Sequence, residues 1–400
     1  MDKQSILIIS HFFPPESLGG AHRWQKLIEN APEEIDFRVL CPPPTYPFGE
    51  FDHTFSPVEQ EEINGVSVTR LWTYQPTSDS RATDTNLGRI LNYAVFSVLA
   101  TLYTAVSFWR YDTVLTVSTP HTTFLPGVVG KALGCNWVVD VFDLWLDNAR
   151  DLGYVERGTV PHLVVSVLEH VAMTRSDHVF VITETMADVF TDRYDVQKNR
   201  FTVVPFGVDT ELFEPSSTDR STTRLIYTGN LGDCHAFVPY LEALARLDPE
   251  YELRIVGTGK RRNELVTMCE QLGIDDRVVF EGVKPREKIP ELLSTAGVSI
   301  VPLKKGQNLD YARPNKLLES MAAGTPYVAS DVEEVRVVTE EAGAGLAVEN
   351  DPESLVNAFR EITQEETKRT EMSDVGPAYI KEHHHWGELG STVGRILHAL

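Results

Sequence analysis

Short apolar, β-prone runs recur along the chain and alternate with stretches of helical periodicity. In the first half they are SILIIS (5–10), FRVLC (37–41), TVLTVS (113–118), NWVVDV (136–141) and HVFVIT (178–183). A second series follows: RLIYTG (224–229), YELRIVG (251–257), RVVFEG (277–282), VSIVPL (298–303) and TPYVAS (325–330). Strands that alternate with helices build parallel sheets covered on their faces, so the pattern predicts an α/β chain of two Rossmann-like domains. The periodicity breaks at VVPFGVDTELFEPSSTDRSTT (203–223), where proline and glycine give way to a polar Ser/Thr tract. The expected domains are 1–203 and 204–376. Residues 377–400 read as an amphipathic helix that packs back on the first domain.

Two stretches carry more than periodicity. In ARPNKLLESMAAGTPYVAS (312–330), Pro314 suits a first helical turn and Gly324 followed by Pro326 is a stop signal. A helix is therefore expected over 314–323. Lys316 and Glu319, three apart, share one face of it, and Arg313 stands at its start, where free N–H groups favour a phosphate. The other stretch, Ile90 to Trp109, is uncharged, is bracketed by Arg89 and Arg110, and is long enough to span a bilayer. It also carries Asn92, Ser97, Thr101, Thr104 and Ser107. A buried domain helix, a helix lying on a membrane surface and a true span all remain open.

Composition narrows the partners. With 400 residues, 42% of them hydrophobic, the chain can fill two α/β cores. A net charge of −22 argues against a general nucleic-acid binder, so an anionic ligand needs a local basic pocket. Only 12 Lys stand beside 24 Arg and 58 acidic residues, a balance that resembles proteins of salt-loving organisms. Cys41, Cys135, Cys234 and Cys269 match no C-x-x-C spacing and read as reduced, mostly buried thiols. MDKQSILIISHFFPP reads as a first strand and not a signal peptide, which makes the cytoplasm the expected compartment.

Candidate chemistry gathers where strands of the second half end. IYTGNLG supplies Gly229, Asn230 and Gly232, IVGTGKRRNEL supplies Gly257 and Gly259 before Lys260, Arg261 and Arg262, and FEGVKPREKIPELL supplies Gly282, Val283 and Lys284. Glycine lets a backbone approach a ligand and point N–H groups at phosphate oxygens, while Lys or Arg offsets the charge. These are the parts of a nucleotide-diphosphate pocket. GTGKRRN approaches a dinucleotide fingerprint but lacks its third glycine and its place after a first strand, so that reading is set aside.

In the first half, HFFPPESLGGAHRW places Gly19 and Gly20 in an expected loop before His22 and Arg23. That loop is a candidate for acceptor or donor-phosphate contact, or a plain tight turn. VDVFDLWLDNARDLG adds Asp140, Asp143 and Trp145 at a strand end, able to grip a sugar or simply to cap and pack. His121 in STPHTTF follows another strand and is a candidate for proton transfer, or a structural histidine. No D-x-D motif appears, and EHHHW (382–386) is too compact to read as a metal site, so no metal is expected.

From HFFPPESLGGAHR through PFGVDTELF, YTGNLG, IVGTGKRRNEL and FEGVKPREKIPELLSTAGVSIVPL to RPNKLLESMAAGTPYVAS, the chain resembles the retaining family-four glycosyltransferases of GT-B architecture. The resemblance implies two Rossmann-like domains facing a central cleft. FDLWLDNARDLG and the segment before YDTVLTVSTP are similar to the subgroup that builds polysaccharides and lipid-linked oligosaccharides, often docked on membranes; with the composition, this points to a haloarchaeal surface-glycan enzyme. By the same resemblance Glu319 holds the nucleotide ribose, Arg313, Pro314 and Asn315 hold the donor's sugar and phosphates, and the donor is a uridine diphosphate sugar with no cofactor besides. The acceptor implied is a lipid-linked glycan, for example on dolichol, reached at the inner face of the membrane with possible contact through 90–109.

The chain departs from the family pattern at three points. Tyr311 occupies the position of the family's first glutamate, leaving Asp310 or backbone groups for the donor sugar. The basic pair after the first strand of the second domain is missing, which passes leaving-group stabilisation to Lys316, Arg261 or Arg313. The strand-end histidine is replaced by Ser118 or Thr119, with His121 displaced. A UDP-sugar 2-epimerase of the same fold and a non-catalytic partner protein stand as alternatives.

Overall fold

The computed structural model of the chain describes residues 3–16, 19–45, 51, 55–75, 85–151, 155–216, 220–306, 309–311 and 313–400. Residues 17–18, 152–153, 217–219 and 312 of the motifs above lie outside the described residues. The chain forms two units, Met1–Phe206 with Trp386–Leu400, and Gly207–His385.

Unit 1 is built on an eight-stranded sheet of β1 (Gln4–Ile9), β2 (Ile35–Cys41), β3 (Val58–Ile63), β4 (Val66–Leu71), β5 (Thr113–Val117), β6 (Asn136–Val141), β7 (His178–Val181) and β8 (Phe201–Val203), in the order β3-β4-β2-β1-β5-β6-β7-β8. All neighbours are parallel except the β3–β4 hairpin at the edge. Central strands are buried on both faces, which is why Ile6 to Ile9 read as an unbroken apolar run. The hairpin is not among the expected strands, yet its signal is present: Asn64-Gly65 takes left-handed φ values of 50° and 79°, the conformation of a tight two-residue hairpin turn.

A buried ion pair fixes the β6 end of this sheet. Arg23 meets Asp140 through Nε and Nη2 at 3.0 and 3.1 Å, donates to the Val204 and Pro205 carbonyls, and Trp24 Nε1 donates to the same carboxylate at 2.8 Å. Both charged side chains are fully buried, so Asp140 is a structural group and not the sugar-gripping carboxylate of the sequence reading. Removing one partner strands a buried charge: Asp140→Ala is expected to cost about 3–5 kcal/mol in urea unfolding.

The segment 90–109 forms the helix Thr85–Ala105 and a short turn at Phe108–Arg110. No helix of the described residues is long and apolar enough to cross a membrane. Its polarity is inverted. Asn92, Ser97, Thr104 and Ser107 face inward, beside Phe96 and Ala100, whereas Val98, Leu102, Val106 and Trp109 are 53, 57, 65 and 69% exposed. The inward hydroxyls of Thr104 and Ser107 are tolerated because they donate to the carbonyls of Ala100 and Tyr103, four residues back.

Unit 2 carries β9 (Ser221–Thr228), β10 (Glu252–Val256), β11 (Val278–Gly282), β12 (Ala296–Val301), β13 (Tyr327–Ser330) and β14 (Gly345–Val348), all parallel, in the order β11-β10-β9-β12-β13-β14. Helices cover both faces over two apolar clusters, one around Tyr227, Phe237 and Phe359, the other around Leu317, Met321 and Tyr327. The single helix expected over 377–400 is two pieces. Residues 377–383 end the helix Glu366–His383 of unit 2, and only Trp386–His398 belongs to unit 1, where Leu389, Val393 and Leu397 enter the core. The break falls in the EHHHW stretch, whose His384 carbonyl accepts from Val208 N at 2.8 Å.

Candidate functional site

The strand order of unit 2 reverses direction between β9 and β12, and open parallel sheets bind ligands outside the carboxyl ends of their strands at such a switch point. The loop after β9 (229–236) and the segment between β12 and the helix Asn315–Ala322 emerge there. Backbone hydrogen bonds stack the glycine-bearing turns on one another: Gly229 N to Val256 O, Leu231 N to Thr258 O, and Gly257 N to Gly282 O, at 2.9, 2.9 and 2.8 Å. Gly257 has φ +140°, and a Cβ there would lie 1.9 Å from the Gly229 carbonyl oxygen. Glycine is therefore required both by backbone conformation and by the neighbouring turn. Gly259 abuts the Asn230 side chain and the Leu231 carbonyl in the same stack.

The helix Asn315–Ala322 is held by Leu317, Leu318 and Met321 in the core and by Ser320 Oγ donating to Ser299 Oγ of β12 at 2.7 Å. Pro314 is its cap residue and makes no side-chain cap bond, while its carbonyl accepts from Leu317 N at 3.0 Å. Lys316 and Glu319 project from the opposite side. The Lys316 ammonium donates to Tyr227 Oη at 2.9 Å and to His235 Nε2 at 2.7 Å, and lies 4.5 Å from the Tyr227 ring centre. Its aliphatic stem passes over Gly229, where a Cβ would sit 3.3 Å from Lys316 Cε. Both partners are neutral, and burial pushes the lysine down to about 8.

Glu319 is raised by burial, against the pull of Arg286, whose Nη1 is 2.9 Å from Oε1. The other expected cations are already engaged. Arg313 pairs with the buried Glu334 at 2.8 Å. Arg261 is bound to Glu264 at 2.6 Å and donates to the His235 carbonyl at 2.8 Å, so it ties two loops together. Lys260 pairs with Asp233, and Lys284 with Glu281. Arg261 and Arg313, both candidates for leaving-group stabilisation, thus each carry a carboxylate partner. Val283 is well exposed beyond β11, and Tyr311 is buried.

In unit 1 the expected loop glycines are not in a loop: Gly19 and Gly20 open the helix Gly19–Glu29. Gly20 packs on Phe142, whose ring a Cβ would meet at 2.5 Å, and His22 lies on the exposed face beside Gln25. Asp143 stands just before the helix Trp145–Asp151 and accepts from Asn148. His121 is fully buried against Phe124 and Trp145, 3.2 Å from Glu169, and burial lowers its pKa despite Glu169 and Asp147. Its imidazole is an interior packing group, which removes it as a proton-transfer residue.

Three site residues escaped the sequence reading: Tyr227, His235 and Arg286. His235 had one visible signal, its place six residues beyond the turn glycine, where the missing basic pair was sought.

Two family descriptions match successive parts of the chain: "Glycosyl transferase 4-like domain" over residues 19–207 and "Glycosyl transferases group 1" over residues 209–378. The chain belongs to the group 1 glycosyltransferases. Its curated relatives include D-inositol 3-phosphate glycosyltransferase of Acidothermus cellulolyticus, 27% identical over 59% of this chain and 57% of the relative. Another is 2-deoxystreptamine glucosyltransferase of Streptomyces kanamyceticus, 24% identical over 51% and 55%. The chain thus spans little more than half the length of these relatives. Among solved structures, sucrose-phosphate synthase from Thermosynechococcus elongatus superposes with a TM-score of 0.75 at 19% identity, covering 99% of each chain. Anabaena HepE in complex with UDP gives 0.72 at 14% identity, covering 100% of each. These likenesses establish the GT-B fold of this family member.

Proposed function

We propose that the protein is a retaining glycosyltransferase that moves a hexose-type residue from a uridine diphosphate sugar to a lipid-linked glycan. The observation that carries the donor half is the Lys316 ammonium, held by two neutral acceptors, with no carboxylate at ion-pair distance among the described residues, at the switch point of the unit 2 sheet. A positive group kept un-neutralised beside stacked glycine turns and a helix start fits a diphosphate. In the reaction the C1–O bond of the donor sugar breaks with its electron pair passing to the β-phosphate oxygen. The acceptor hydroxyl oxygen bonds C1, and its proton leaves with the diphosphate. Glu319 accepts from the ribose hydroxyls, and Lys316 with backbone N–H groups carries the leaving-group charge in place of a metal.

The acceptor half is supported by the inverted helix Thr85–Ala105. Val160, Leu163, Val164 and Val167 are also exposed on the helix Val160–Arg175, and both helices pack against Phe124–Ala132. Apolar side chains on neighbouring helices suit a lipid surface at the inner face of the membrane. Leu102→Asp with Val106→Asp should abolish co-sedimentation with vesicles while leaving nucleotide binding intact; unchanged sedimentation would remove the membrane contact.

The reading as a whole is tested by measuring UDP release from a panel of UDP-sugars with and without a polyprenyl-linked glycan, in high salt and with EDTA. Release that depends on the acceptor and persists with EDTA is expected. Conversion of the donor without an acceptor would mean the epimerase, and nucleotide binding without turnover a non-catalytic partner.

A further inference from the structure

We propose that His235, with Tyr227, is the positioning residue that presents the Lys316 ammonium to the diphosphate leaving group, in the place of the basic pair this chain lacks. The inference rests on the donor reading above. An ammonium carries three N–H donors and no acceptor. One is spent on Tyr227 Oη and one on His235 Nε2, at 2.9 and 2.7 Å, which leaves the third for a ligand. Because lysine only donates, His235 Nε2 must accept, and the ring proton therefore sits on Nδ1. That nitrogen faces the Gly232 carbonyl at 3.4 Å and Cys234 Sγ at 3.5 Å.

The chain of donors is closed on the loop itself. Tyr227 Oη donates onward to the Asn230 carbonyl at 2.6 Å, and Arg261 holds the His235 carbonyl. Two side chains, one on β9 and one on the loop, thus orient the ammonium and brace the Gly229–Gly232 turn at the same time. Neither partner carries charge: burial and the facing lysine hold His235 down at about 3, and burial raises the Tyr227 phenol well above its usual range. A carboxylate in either position would fix the lysine equally well but cancel the charge needed by the departing phosphate.

The positioning requirement is strict, since displacement by about 1 Å costs on the order of a hundredfold in rate. His235→Leu keeps the volume and removes the acceptor. It is expected to lower kcat about tenfold to a hundredfold with a smaller change in donor KM, and to move the alkaline limb of kcat/KM to lower pH. The direction follows because an ammonium with one fewer acceptor loses its proton more readily. The titratable groups around Lys316 are Tyr227, Cys234, His235 and Glu319, the last carrying Arg286. His235→Gln, which restores a neutral acceptor, should recover most of the rate and return the limb, and Tyr227→Phe should repeat the defect without touching His235.

Thermal melts separate folding losses from positioning losses. A purely structural histidine would lower Tm in His235→Leu and leave the alkaline limb in place. A wild-type rate and limb in both His235→Leu and Tyr227→Phe, with the wild-type enzyme active, would overturn this inference alone. Failure of the wild-type protein to release nucleoside diphosphate from any nucleotide sugar would overturn the donor reading beneath it.

Discussion

Lys316→Met is expected to lower kcat for sugar transfer by about 10²–10³-fold, the range typical of losing one preorganised donor to developing negative charge. The expectation rests on what surrounds the ammonium. Arg261, Arg313 and Lys260 each meet a carboxylate, whereas Lys316 meets Tyr227 and His235. The charge that builds on the β-phosphate oxygen as C1–O breaks has no other un-neutralised partner of this kind on the helix. Steady-state rates on wild type and variant check it; equal kcat would remove Lys316 from the chemistry. The same residue ties activity to pH. In the donor-free enzyme it loses its proton near pH 8, so donor kcat/KM should fall above that value. Stability runs the other way. The folded chain holds fewer protons at this site than the unfolded chain between about 8 and 10.5, so Lys316 destabilises the donor-free fold below that window and the penalty fades as pH rises through it. Lys316→Met should accordingly be more stable than wild type to urea at pH 7 and lose that advantage toward pH 10.5.

Glu319→Ala is expected to act on binding more than on turnover. A carboxylate that accepts from hydroxyls contributes about 1.5–3 kcal/mol per charged hydrogen bond, so donor Kd should rise roughly tenfold to a hundredfold while kcat at saturation changes little. Its protein partner does not explain such a loss. Arg286 reaches the mostly buried Glu319 from solvent and its own charge is screened there, so Arg286→Ala should leave donor Kd within a fewfold of wild type. Because burial raises the Glu319 pKa, donor affinity should also weaken on the acid side sooner than an ordinary glutamate would cause. Calorimetric titration of UDP onto the three proteins separates these effects, and equal Kd in Glu319→Ala would remove the ribose contact.

The sheets were legible because a central parallel strand is buried on both faces and leaves a continuous apolar run, as at Ile6–Ile9 and Val298–Val301. The edge hairpin lacked that run: Val58–Ile63 is largely exposed and acidic, and only Asn64-Gly65 marked it. At the site, the helix carrying Lys316 and Glu319 was readable from Pro314 and Gly324. What could not be read was pairing. That Arg313 spends its charge on Glu334, 21 residues on, and that Lys316 leans on His235, 81 residues back, are consequences of tertiary packing with no local pattern. His121 failed for the same reason, since the bulk that buries it comes from Phe124, Trp145 and Glu169 on three different helices. The apolar segment 90–109 was visible as apolar, but not which side faces out: hydroxyls bonded to their own helix carbonyls turned inward and left valine and leucine outside.

The most direct test of the donor site is a crystal structure of the protein with uridine diphosphate. The account predicts a β-phosphate oxygen about 2.7–3.0 Å from Lys316 Nζ, with Tyr227 Oη and His235 Nε2 still bound to it and the ribose hydroxyls on Glu319. A diphosphate lodged away from Lys316, or one held by Arg261 or Arg313 released from their carboxylates, would contradict it.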